Sequence, residues 1–160
     1  MPIFRLMLIF VFFINPLETI AQGFQVAFGN SGQDTKLPVE VTADSLSVNQ
    51  NDGSAIFKGN VNIAQGEMRM KADKVNVHYS SDTSGIARLV ATGEVLLTQG
   101  PDIAEADMAE YSIEDGTVLM RGNVTVVQDI NTIMADEMTM NLRDNTAEMH
   151  GSVKTILKSE

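Results

Sequence analysis

Few residues of this 160-residue chain carry the chemistry of a catalytic centre. Cysteine is absent, so no thiolate nucleophile is available. His78 and His150 are the only histidines, and neither has a partner at metal-ligand spacing. His150 falls at an outward position before a glycine, where a surface role outweighs a catalytic one. No nucleophile motif or phosphate-binding glycine loop occurs. The polar residues that do recur are Asp44, Asp73, Asp107 and Asp136, each directly after an alanine. Carboxylates repeated at set intervals could act as acid/base pairs or calcium ligands. Four-fold recurrence at equivalent places points instead to groups that fix a bend. The residues therefore describe a protein that is not an enzyme and needs no cofactor or metal.

The elements that position these aspartates are themselves repeated. A second marker, Gly-x-Val, recurs at Gly59/Val61, Gly93/Val95, Gly122/Val124 and Gly151/Val153. Each of the first three glycines is followed 13 residues later by the next Ala-Asp. From Ala-Asp to the following Gly is 16 residues in three cases and 21 in the second, where the loop-like Ser80–Gly85 accounts for the excess. The unit of about 29 residues lies in the range of repeat architectures. Within each unit apolar and polar residues alternate at period two, the pattern of strands. Turn residues such as Asn51-Asp52-Gly53, Asp115-Gly116 and Asp144-Asn145 punctuate them. Eight strands are predicted near residues 38–49, 54–64, 67–79, 86–98, 102–113, 117–127, 132–142 and 146–157, connected as an up-and-down meander.

The apolar parity slips by one residue at each Ala-Asp. Met68, Met70 and Ala72 give way to Val75 and Val77, and Ile133 and Ala135 give way to Met138 and Met140. Such a slip marks a bulge or corner, and a glycine inside a strand marks a bend or close backbone approach. Every long strand therefore bends near its middle. The expected fold is all-β, a single domain forming a folded meander or twisted β-jelly roll, two layers hinged along one seam. The inward set includes Phe57 and Met120 before the glycines. Val61, Val95, Val124 and Val153 follow two residues after them, and Ile63, Leu97, Val126 and Thr155 four after, and Met138 and Met140 are counted with the same lining. These side chains are either an ordinary core or the lining of a continuous apolar trough. Ten methionines, eight of them beyond residue 21, suit an irregular apolar surface.

The N-terminus reads as a secretory signal. Arg5 precedes the apolar run Leu6–Ile14, too short to span a bilayer comfortably, and Thr19-Ile20-Ala21 offers small residues to a signal peptidase. The expected organisation is a signal peptide at 1–21 cleaved after about Ala21, a flexible segment at 22–36, and a β domain at 37–158. The net charge of −10 argues against nucleic acid and anionic membrane surfaces. The absence of Trp argues against a sugar-stacking site.

The stretch "ADSLSVNQNDGSAIFKGNVNIAQGEMRMKADKVNV" resembles the OstA-like, LptA-type family of periplasmic lipopolysaccharide transport proteins. The phrases recur in "MRGNVTVVQD" and "MADEMTMNL", so the likeness covers about residues 37–157. The resemblance implies V-shaped strands in a β-jelly roll, a periplasmic location, and an apolar groove for the acyl chains of lipid A. It implies head-to-tail stacking, with an LptC-like inner-membrane protein and an LptD-like outer-membrane protein as partners. It places groove positions at Val39 and Val41 on the first strand, and at Tyr111 and Ile113 before the third glycine. The outermost strands, 38–49 and 146–157, would offer unpaired edges for strand addition. Two other readings stay open: a membrane-anchored LptC-like protein if the N-terminus is retained, and a purely structural β-repeat protein with a filled interior.

Overall fold

The computed structural model describes residues 24–29, 34–49, 51–81 and 85–158. The expected signal peptide, residues 1–21, lies outside the described residues. Among the described residues, eleven strands form one antiparallel sheet. They are β1 (Phe24–Ala27), β2 (Glu40–Thr42), β3 (Ser45–Asn49), β4 (Ser54–Gln65), β5 (Met68–Tyr79), β6 (Ile86–Gln99), β7 (Asp102–Ser112), β8 (Thr117–Gln128), β9 (Asn131–Asn141), β10 (Thr146–His150) and β11 (Lys154–Ile156). The alternating segments pair in chain order from β4 to β9, as tight polar turns dictate.

Each long strand passes through both layers. At the seam of β4, Gly59 and Asn60 stand where β5 supplies one residue, since Lys58 pairs with Lys74 and Val61 with Ala72. The same offset recurs in β6 and β8. This is a β-bulge, and it turns each strand sharply. The outermost strands break there altogether, β2 from β3 and β10 from β11. One layer runs β1-β10-β9-β8-β7-β6-β5-β4-β3 and the other runs β11-β9-β8-β7-β6-β5-β4-β2. The expected hinged, two-layered meander is thus observed.

Two expectations change. The segment 22–36, read as flexible, supplies β1, which pairs with β10 through Phe24↔Met149 and Val26↔Ala147. The edge expected at 146–157 is consequently covered over its first half. The physical reason is the short alternation Phe24, Val26, Phe28, whose inward members have apolar partners on the neighbouring strand. Phe28 is fully buried, a contribution of about 2–3 kcal/mol. The second change concerns the fourth repeat. Val153 and Thr155, expected inward, are exposed, because β11 is a three-residue edge strand held only by β9.

Candidate functional site

The four aspartates meet the four glycines, and the pairing explains the repeat. Asp44 lies against Gly59, Asp73 against Gly93, Asp107 against Gly122 and Asp136 against Gly151. All four glycines have positive φ, between +73° and +84°, a region other residues enter at a cost. A Cβ on any of them would approach the aspartate Cβ to between 2.8 and 3.0 Å. The following residue is left-handed too: Asn60, Glu94, Asn123 and Ser152. Asn60 Nδ2 donates to Asp44 Oδ2 at 2.8 Å, and Asn123 Nδ2 to Asp107 Oδ2 at 2.9 Å. The Asp44 and Asp136 amides donate to the carbonyls of Gly59 and Gly151, each at 2.9 Å. These aspartates therefore act as corner groups seated where each glycine lacks a Cβ, two of them also held by an asparagine side chain.

The corners line up along the outer side of the seam and leave shallow grooves there. One, of about 400 Å³, is bounded by Glu94, Leu96, Glu105, Asp107 and Asn123. Two smaller grooves repeat the arrangement, beside Lys71 and Asp73 and beside Met134 and Asp136. In the second repeat Glu94 replaces the amide donor, so a carboxylate stands beside Asp73 in place of the hydrogen bond that Asn60 and Asn123 make.

The apolar residues face the other way, into the space between the layers. Of the sequence-predicted lining, Val61, Ile63, Val95, Leu97 and Tyr111 are fully buried. So are Met120, Val124, Val126, Met138 and Met140. Val39, Val41, Phe57 and Ile113 are half-buried against the same cluster. The fold thus brings all fourteen onto one apolar interior.

That interior is uncovered at the β2–β3 end. Leu46 pairs with Phe57 and Val48 with Ala55, so both point to the inner face. Yet Leu46 is 55 % and Val48 62 % exposed. Val41, opposite buried Ile63, and half-buried Val39 supply the facing layer. Leu46 and Val48 are the lining residues that sequence reasoning did not select, although their alternation on the first strand signalled them. At the opposite end Phe24 is 48 % exposed on the inner face, and Val153, Ile156 and Leu157, in and around β11, are exposed as well.

The long free side of the folded sheet, away from the seam, is closed by polar contacts. The Tyr111 hydroxyl donates to Gln65 Oε1 across the two layers. Gln65 Nε2 in turn donates to the carbonyls of Thr35 and Leu37 at 3.0 and 2.7 Å. Burial pushes the Tyr111 phenol up to about 12, against the opposing pull of Arg143 and the Gln65 bond. Further along, the Phe28 amide donates to the Asn145 carbonyl at 2.9 Å. The Gly29 amide donates to Asp102 Oδ2 at 2.7 Å, and Gln128 Nε2 reaches the same oxygen at 2.9 Å.

Comparison with known proteins agrees with this geometry. The sequence pattern of the family described as LptA/(LptD N-terminal domain) LPS transport protein matches residues 40–153. An uncharacterised protein of Rhizobium meliloti (strain 1021) is 25% identical over 118 residues, 69% of this chain and 63% of that protein. The LPS-assembly protein LptD of Salmonella typhimurium (strain LT2) is 45% identical over 47 residues, 29% of this chain and 6% of that protein. The chain therefore spans less than two thirds of these relatives. Among solved structures, LptH, the LptA-homologous periplasmic component of the lipopolysaccharide transport device of Pseudomonas aeruginosa, superimposes with a TM-score of 0.70. It is 16% identical, and the match covers 79% of this chain and 99% of that one. That likeness establishes the fold, a β-jelly roll of the LptA kind.

Proposed function

The chain belongs to the LptA/(LptD N-terminal domain) family of lipopolysaccharide transport proteins, and from that premise we propose that it is a periplasmic bridge segment carrying lipopolysaccharide between the inner and outer membranes. The lipid's acyl chains lie in the interior between the two layers, with the mouth at Val39, Val41, Leu46, Val48 and Phe57. The observation that carries this reading is the uncovered inner face at the β2–β3 end, where Leu46 and Val48 point inward yet remain exposed. Keeping roughly ten acyl methylenes from water is worth about 8 kcal/mol. An apolar mouth therefore competes with water without charge pairs. A surface bearing net charge −10 holds lipid phosphates weakly, which suits a conduit that must release its cargo. No reaction is involved, and the protein acts by binding alone.

The two ends support stacking. One end presents the free edges of β3 and β2, one in each layer, and the other presents β1 and β11 in the same two layers. A second copy placed head to tail would extend both layers at once by strand addition. It would also bring Leu46 and Val48 towards Phe24. LptC-like and LptD-like proteins would occupy the two ends of such a stack, meeting the same edges.

The test is photo-crosslinking in cells. A photoreactive residue at Leu46 or Phe57 is expected to yield lipopolysaccharide adducts, and one at Asn62, exposed on the outer face, is not. Absence of adducts at both inner positions in folded, exported protein would leave a packed structural repeat in place of a conduit.

A further inference from the structure

Phe28 differs from the residues around it. It is fully buried in the interior, but it comes from outside the folded sheet, just beyond the four-residue β1. Of the β1 side chains only Val26 is even half-buried. Phe28 and Gly29 lie across the free side of the fold and touch both rims. Asn145 accepts from Phe28 on one layer, and Asp102 accepts from Gly29 on the other. Gln128 reinforces this clasp by donating to both Asp102 Oδ2 and the Ala27 carbonyl. Gln99 packs so closely on Gly29 that a Cβ there would stand 2.8 Å from its Cγ. A ring thus occupies the interior from the side, fastened by polar contacts at the rims and by one short edge strand.

We infer that the slot filled by Phe28 is an acyl-chain subsite, and that the protein's own N-terminal segment is its resident occupant until lipid displaces it. This rests on the lipid-conduit reading above. A saturated acyl chain matches the slot chemically, since it brings apolar surface and no polar group to satisfy. It also buries more apolar area than one phenyl ring, so the exchange favours the lipid. Loss of the Asn145 and Asp102 contacts frees Phe28, and the two freed amides meet water at the rim. The segment acts as a competitive internal ligand, so the apparent affinity for lipid is reduced by the fraction of protein in which the slot is vacant.

The chain contains no Trp and no Cys, which makes the test direct. Phe28→Trp introduces a single fluorophore, buried and poorly quenched by acrylamide in the free protein. Purified lipopolysaccharide is added, and its binding is read independently by the photoreactive residue at Leu46. Displacement predicts a red-shifted emission and a several-fold rise in quenching. A second protein carries Gln25→Cys and Glu148→Cys, directly opposed and exposed on β1 and β10. Its oxidised form is expected to bind lipopolysaccharide about tenfold more weakly than its reduced form. If the fluorophore variant does not fold, hydrogen exchange at the Phe28 and Gly29 amides of the unaltered protein reads the same event. Adducts at Leu46 with an unchanged buried fluorophore, or unchanged amide protection, would overturn the inference while leaving the conduit intact. Equal affinity of the oxidised and reduced forms would do the same. Absence of adducts at Leu46 would remove the conduit reading and this one with it.

Discussion

Replacing Gly122 with alanine tests whether the Asp-Gly pairs are structural corners. The variant faces two separate penalties. Gly122 has φ +81°, and an L-residue held in that region costs about 1–2 kcal/mol. The new methyl would also stand 3.0 Å from both Cβ and Cγ of Asp107, and nearer still to its Oδ2. Asp107 must swing away, which breaks its 2.9 Å bond from Asn123 and adds about 1–3 kcal/mol. The expected loss is about 3–4 kcal/mol, read as a fall of about 1.5–2 M in the urea midpoint. Gly53→Ala is the matched control. Its φ is +64° and nothing lies within 4 Å of the added carbon, so it should lose only about 1 kcal/mol. The cycle completed by Asp107→Ala isolates the carboxyl part of the contact, because the Cβ at 107 stays 3.0 Å from the new methyl, with a coupling of about 2 kcal/mol. Equal losses for Gly122→Ala and Gly53→Ala, or a coupling near zero, would refute the corner argument and return the aspartates to consideration as functional groups.

Other perturbations follow from the same coordinates. Glu94→Asn should stabilise the protein by about 1 kcal/mol, because asparagine tolerates the left-handed backbone and can donate to Asp73 as Asn60 does to Asp44; an unchanged or lowered melting temperature would contradict this. The Tyr111 phenol is raised from 10.0 to about 12, so the folded protein keeps a proton that the unfolded chain gives up first. Stability from this group is fully present below pH 10 and declines as pH rises towards 12. Tyr111→Phe should flatten that part of the alkaline limb relative to the unaltered protein, and should cost about 1 kcal/mol at neutral pH through the lost Gln65 bond. Leu46→Asp, at a site already 55 % exposed, should shift unfolding stability by no more than about 0.5 kcal/mol while abolishing lipopolysaccharide adducts at Phe57.

The seam was legible in the sequence because its chemistry is local and repeated. A glycine needing positive φ and an aspartate that fits only beside a missing Cβ leave a signature at constant spacing, and the parity slip at Ala72 and Val75 records the register offset observed there. The inward set was legible for the same reason, since alternation fixes which face a strand buries. The closure of the free side was not. It depends on contacts between residues far apart in the chain, 73 positions from Gly29 to Asp102 and 46 from Gln65 to Tyr111, and no periodicity relates them. Tyr111 was named for its groove position alone, and its hydroxyl bond to Gln65 has no sequence pattern. The segment Phe24-Gln25-Val26-Ala27-Phe28 did alternate, but four residues of strand beside an expected cleavage site and a loop-like stretch are too few to outweigh that context. This division has a physical origin. A bent sheet built from one repeated corner specifies its own seam and its own apolar interior, but it leaves three sides open: the two ends and the free rims. Among the described residues the ends stay apolar and their outer strand edges unpaired. The rims are closed only by side chains and a segment that lie outside the repeat, so they are the part of the fold able to change without disturbing the corners. Phe28, Gln65 and Tyr111 belong to that closure, whereas Asp44, Asp73, Asp107 and Asp136 lie at the seam on the far side of the fold.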